Sequence, residues 1–132
     1  MSETCGLFRS ESLAPVYTQE RCSITEFLNT EQSADVSIAQ CRVVPGETTQ
    51  LHSLQIAERY LIQHGHGVME LGSSDTFEVT VGDCVLIPPG CPQRIRNTGD
   101  EDLVFLCVCT PRFLPGHYRV LEDEQTQAMT TT

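Results

Sequence analysis

No stretch of this 132-residue chain approaches the ~20 consecutive apolar residues that a membrane-spanning helix needs. The N-terminus, MSETCGLFRSES, lacks a basic start followed by an apolar run. No secretion signal is legible there, and the cytoplasm is the expected compartment. No CxxC pair occurs among the seven cysteines, and their number is odd. A disulfide framework is therefore not expected. Basic residues are scarce: eight against 18 acidic ones, for a formal charge of −10 and a pI near 4.6. Such a surface repels phosphate backbones and anionic lipid, so neither nucleic acid nor membrane is expected as a partner. The charge serves solubility and names no substrate. Long amphipathic helices, internal repeats and interdomain linkers are also missing.

What is present is strand signal. Nine short runs rich in Val, Ile, Leu, Phe and Thr are predicted as strands: Cys22–Leu28, Val36–Val44, Thr48–Leu54, Glu58–Gln63, Gly67–Leu71, Thr76–Val81, Asp83–Ile87, Gln93–Arg96 and Leu103–Thr110. Turn residues separate them, among them Pro45-Gly46, Gly65, Gly72 to Asp75, Gly82-Asp83, Pro88-Pro89-Gly90 and Asn97 to Asp100. Ser53–Arg59 could form one helical turn, but β-type residues flank it. Evenly spaced short strands point to an all-β antiparallel sandwich or barrel. One domain over 21–120 is expected, after an arm or edge strand at 1–20. A flexible polar tail is expected at 121–132. Cys41, Cys84, Cys107 and Cys109 fall in apolar runs and read as small core residues. Cys91, in PPGCP, reads as the most exposed.

Side chains two apart on a strand share a face. That groups Thr48, Gln50, His52 and Leu54, then Glu58, Tyr60 and Ile62, then Gln93 and Ile95, with Arg94 and Arg96 on the opposite side. If His52 points into a barrel lumen, Glu58 and Gln93 can converge on it. Gln50, Leu54, Tyr60, Gln93 and Ile95 would then line a substrate pocket. A mostly apolar cavity with a few convergent polar groups is the usual small-molecule site.

At this point a resemblance becomes specific. Gly46 to Gly65, GETTQLHSLQIAERYLIQHG, resembles the first motif of the cupin superfamily, with Gly46, His52, Glu58 and Gly65 on its fixed positions. Gly82 to Asn97, GDCVLIPPGCPQRIRN, resembles the second, with Gly82, Pro88, Gly90 and Asn97 in place. The resemblance implies a cupin-type double-stranded β-helix, or jelly-roll, barrel and a homodimer. The cupin pattern usually supplies three His and one Glu to a metal. Here Leu54 stands at the second His position and Gln93 at the third. Small cupins labelled sugar-phosphate-isomerase-like share those two variants, but the label is a fold analogy.

Two chemical readings stay open. His52, Glu58 and Gln93 could hold a divalent ion weakly (Mn, Fe, Ni or Zn), since a Gln oxygen is a poor ligand beside imidazole. Without an ion, His52 would be the general base and Glu58 its orienter or acid partner, with Tyr60 as a candidate hydrogen-bond donor. Either way the expected function is isomerase, cyclase or dehydratase chemistry on a small polar carbonyl compound. A non-catalytic module that binds a sugar or metabolite is the alternative. Blander roles exist for each residue: His52 satisfied in the lumen, Glu58 paired with Arg59, Arg94 or Arg96, and Gln93 bracing the pocket. His64 and His66 read as exposed turn residues. His117 could fold over the pocket mouth.

Overall fold

A computed structural model describes residues 5–10, 13–72 and 75–122. The first sheet holds β1 (Val16–Tyr17), β2 (Ser23–Leu28), β3 (Ser37–Val43), β5 (Ala57–His64), β8 (Cys84–Ile87) and β10 (Leu103–Thr110), in the order β1-β2-β3-β10-β5-β8. The second holds β4 (His52–Leu54), β6 (His66–Leu71), β7 (Asp75–Thr80), β9 (Gln93–Asn97) and β11 (Tyr118–Val120), in the order β11-β4-β9-β6-β7. Every strand pair is antiparallel. The chain passes repeatedly between the sheets, which is the double-stranded β-helix expected from the sequence. Short 3-10 turns at Glu31–Ser33 and Pro115–His117 accompany the strands.

Strict alternation sets the inward face. Strand β5 buries Glu58, Tyr60 and Ile62, β8 buries Val85 and Ile87, and β9 buries Gln93, Ile95 and Asn97. Several expectations need correction on this geometry. Cys84 is exposed, because Val85 and Ile87 take the inward positions of β8 and leave Cys84 and Leu86 outside. Cys91 is half-buried and packs against the core. The expected strand over Thr48–Leu54 shrinks to His52–Leu54, preceded by an isolated bridge between Thr48 and Arg96. Irregular backbone before His52 breaks the shared face assigned to Thr48 and Gln50. Ser53–Arg59 contributes strand, not helix. Strands β1 and β11 lie outside the nine predicted runs. Glu122, assigned to the flexible tail, is buried, while 123–132 lie outside the described residues.

The lumen has a packed end and a hollow end, and side-chain size decides which is which. Strands β3 and β10 pair Leu103 with Val43, Phe105 with Cys41, Cys107 with Ala39 and Cys109 with Ser37. These inward pairs run from large to small along the barrel. The large end joins Ile62, Met69, Ile87 and Ile95 in a core that is almost wholly buried. Each such side chain contributes about 1.5–3 kcal/mol by leaving water. The small end leaves a cavity of about 790 Å³.

Tight turns close the packed end. Gly65 joins β5 to β6 at φ +79, and a Cβ there would lie 2.6 Å from the Asp102 carbonyl oxygen. Only glycine fits that approach. The flanking His64 and His66 are exposed, as the sequence suggests. Among the described residues no helix is long and apolar enough to cross a membrane.

Candidate functional site

The cavity is walled by β3, β10 and β5 on one sheet and by β4 and β11 on the other, with the N-terminal arm across one side. Its titratable lining includes Glu20, His52, Glu58, Cys107, Cys109 and Tyr118.

His52 sits opposite Gln93 in the β4–β9 register and is 3% exposed. Its Nδ1 lies 2.7 Å from the Gln50 carbonyl oxygen. A carbonyl only accepts, so Nδ1 carries the proton and Nε2 keeps its lone pair. Burial holds the imidazole below its usual pKa, against the Gln50 carbonyl and the Glu122 charge. At neutral pH it is therefore an uncharged base. Tyr118 stacks on the ring with centroids 4.6 Å apart and planes 13° from parallel. The stack follows from register: β11 pairs Val120 with His52, which places Tyr118 two residues along the same face.

Glu58 sits opposite Cys109 and is 6% exposed. Its Oε1 accepts from Gln93 Nε2 at 3.0 Å, and its Oε2 accepts from the Cys109 thiol at 3.7 Å. Burial pushes its pKa up to about 7, while the Gln93 hydrogen bond opposes the rise. Tyr60 lines the cavity but gives its hydroxyl proton to Gln93 Oε1 at 2.7 Å. Burial raises its pKa well above the ordinary value. Tyr60 thus orients Gln93, and Gln93 orients Glu58.

The other pocket candidates separate. Leu54 lines the cavity. Ile95 belongs to the packed core and is fully buried. Gln50 holds His52 through its backbone and accepts from the Tyr118 hydroxyl at 2.7 Å through its side chain. Gln93 stands behind Glu58 and Tyr60. His117 sits in the Pro115–His117 turn, where its Nδ1 accepts from the Leu114 amide and its ring meets Phe113 edge-on. Phe113 and Leu114, not His117, face the cavity. Arg94 pairs with Glu70 outside the lumen, and Arg59 donates to Thr110.

A second carboxyl group, Glu20, joins the site without any signal in the sequence. Glu20 brings a carboxylate oxygen to 4.0 Å from His52 Nε2. Burial pushes its pKa up to about 7, against a hydrogen bond with Tyr118. The turn that presents it is held from both ends of the chain. Arg21 adopts φ 67, a left-handed conformation that costs energy for a residue with a Cβ. Its guanidinium donates to the Thr48 carbonyl at 2.8 Å and pairs with buried Glu122 at 2.9 Å. Glu122 also accepts from the Leu51 amide, one residue before His52. Neither the strained turn nor this clamp leaves a periodic trace.

The donor set does not suit the metal that a cupin of the usual pattern holds. Gln93 turns its NH2 toward Glu58 and commits its oxygen to Tyr60. Both Glu58 oxygens already accept hydrogen bonds. Leu54 offers no donor, and His52 Nδ1 is committed to Gln50. Of the four motif positions, His52 Nε2 is left as the one good ligand atom; Glu20, outside the motif, adds a carboxylate beside it, still short of the three or four donors such ions want. The chain also contains no lysine, so its side chains cannot form a Schiff base with a carbonyl.

Comparison with known proteins agrees with the architecture. The cupin domain family model matches residues 39–109, and the chain belongs to the cupin family. An uncharacterized protein of Methanocaldococcus jannaschii is 33% identical over 115 residues, spanning 85% of this chain and 91% of that one. The polyketide cyclase RemF from Streptomyces resistomycificus superposes with a TM-score of 0.77 at 19% identity, over 98% of this chain and 94% of that one. A Streptomyces nucleoside dehydratase superposes with a TM-score of 0.75 at 15% identity, over 90% and 92%. At these identities the two structures speak for the fold alone.

Proposed function

We propose that this protein is an enzyme that moves protons on a small carbonyl compound, in the manner of an isomerase, cyclase or dehydratase. One observation carries the reading: an uncharged imidazole and two carboxyl groups raised to about 7 line one cavity. Catalytic acids and bases work best when their pKa values lie near the working pH. His52 Nε2 takes the proton next to the carbonyl. Glu58, protonated in part near neutrality and held by Gln93 and Cys109, returns a proton or assists loss of water. Glu20 lies where it can relay a proton from His52 Nε2. Tyr60 serves through Gln93 and is not itself a proton donor to substrate. The reading is supported by a polyketide cyclase and a nucleoside dehydratase that share the fold.

Deuterium wash-in from D2O tests the reading without knowledge of the natural substrate. A panel of enolisable ketones, hydroxyketones and keto esters would be followed by mass spectrometry. Exchange above buffer is expected for at least one member, and His52→Ala should lower it about 100-fold or more. No exchange from any member that binds would favour the non-catalytic binding module instead.

The homodimer belongs to the same proposal. Edge strands β1 and β8 leave Val16, Tyr17 and Leu86 at least 61% exposed, and pairing such edges would protect them. Sedimentation as a monomer at micromolar concentration would remove it.

A further inference from the structure

The hollow end also says what shape and charge it takes. Ser37, Ala39 and Cys41 on β3 adjoin Cys109, Cys107 and Phe105 on β10 in register. Apart from Phe105 these side chains reach no further than a single atom beyond Cβ, and the five short ones all line the cavity. Neighbouring strands lie about 4.8 Å apart and alternate residues about 7 Å apart, so the short chains form a smooth plate the size of a fused ring system. The opposing sheet presents Leu54 and the stacked rings of His52 and Tyr118. Thiol sulfurs make favourable contacts with aromatic rings. These thiols are poor nucleophiles, because burial raises the pKa of Cys107 well above its usual value and that of Cys109 to about 12. Their role is to be small, soft and uncharged.

The charge of the lining is equally selective. Glu20 and Glu58 face the cavity, and solvent-exposed Glu26 also borders it. Arg112 is the only Lys or Arg among its described lining residues, and its Nε is committed to Asn29 Oδ1 at 2.9 Å. A phosphate or carboxylate would enter against the two carboxyl groups of Glu20 and Glu58 with one partly engaged guanidinium to meet it. In a poorly solvated cavity that repulsion is costly.

We propose that the cavity takes an uncharged, flat, unsaturated ring system, laid on the plate of Ala39, Cys41, Cys107 and Cys109, and does not take a phosphorylated sugar. A carbonyl or phenol on its edge would reach His52 and Glu58. That last part rests on the proton-transfer reading; the flat shape and lack of charge rest on the plate and the lining alone.

Amide NMR titration of the full chain decides the matter, with 1-tetralone and 2-naphthol as flat uncharged probes and ribose 5-phosphate as the phosphorylated sugar. The flat probes should shift the amides of Ala39, Cys41, Cys107 and Cys109 and saturate at millimolar concentration. Ribose 5-phosphate should leave them unmoved. Cys107→Leu and, separately, Ala39→Leu should weaken the flat probes about tenfold or more by filling the space over the plate. Thermal melts would show which of the two stays folded. The proposal is overturned if ribose 5-phosphate saturates these amides, if neither flat probe shifts them, or if a folded filled variant binds undiminished. Tight binding of 1-tetralone without deuterium wash-in would remove the proton-transfer reading and keep the ligand class. Wash-in into ribose 5-phosphate alone would do the reverse.

Discussion

The two ends of the barrel are built from the same strands and differ in what those strands point inward. At the packed end β10 offers Leu103 and Phe105, with Val43 opposite Leu103 and Cys41, opposite Phe105, at the border of the cavity; four residues on it offers Cys107 and Cys109 against Ala39 and Ser37. One end is held by apolar burial. The other gives up that burial and keeps two carboxyl groups, an imidazole and several thiols around a void. A strand pair can thus be scaffold and site at once, with residue size as the only change along it.

The sharpest way to break this comparison is to truncate one large and one small residue on the same face. Phe105→Ala should cost about 3–5 kcal/mol of stability, because a well-packed site cannot collapse to fill the hole. Cys107→Ala should cost under about 1 kcal/mol, since the space beside it is already empty. Urea unfolding of both variants measures the contrast, and equal losses would mean that the hollow end is packed after all.

Next in size is the clamp that holds Glu20 over the hollow end. Arg21→Ala relieves none of the left-handed backbone and leaves the Glu122 carboxylate buried without its guanidinium. A loss of about 3 kcal/mol is expected. The same variant should disturb the His52 ring signals in NMR, because Glu122 also binds the Leu51 amide. Unchanged His52 signals would detach the clamp from the site.

A pH series separates the ends without any mutation. Glu20 and Glu58 have folded pKa values raised from 4.5 to about 7, so the unfolded chain ionises first as pH rises. Stability should therefore fall between about pH 4.5 and 7 and level off above, at up to about 1.4 kcal/mol per pH unit for each group. Glu58→Gln should flatten part of that slope. His52, whose pKa burial lowers, adds a slope of the opposite sign, so the comparison of Glu58→Gln with the unaltered chain is what isolates the carboxyl; an identical slope in both would show that burial does not dominate at Glu58. The smallest effect belongs outside the lumen: Cys84→Ser on the exposed face of β8 should change stability by no more than about 0.5 kcal/mol and leave ligand binding intact.

The barrel was legible because alternation and turn residues report local geometry, and the motif residues His52 and Glu58 fall on regular strand or at its first residue. The central hydrogen-bonded pair, Glu58 with Gln93, is adjacent to what strand faces alone suggest. Tyr118 was hidden because a three-residue strand carries too few alternations to stand out. Glu20 was hidden for a deeper reason. Its place depends on a left-handed Arg21 and on an ion pair spanning almost the whole chain, and such long-range contacts have no local pattern. The sequence also marked Cys84, Cys107 and Cys109 alike, since each sits in an apolar run; only the sheet decides that Cys84 looks outward while Cys107 and Cys109 face the cavity.

The central claim is that this cupin site works by proton transfer between its own side chains. Deuterium wash-in on chelator-treated protein tests it most directly, with elemental analysis of the same sample and parallel reconstitution with Mn, Fe, Ni and Zn. The account predicts an exchange rate unchanged by metal removal or addition and lost in His52→Ala. Exchange that appears only on reconstitution, with near one ion per chain that His52→Ala abolishes, would contradict it.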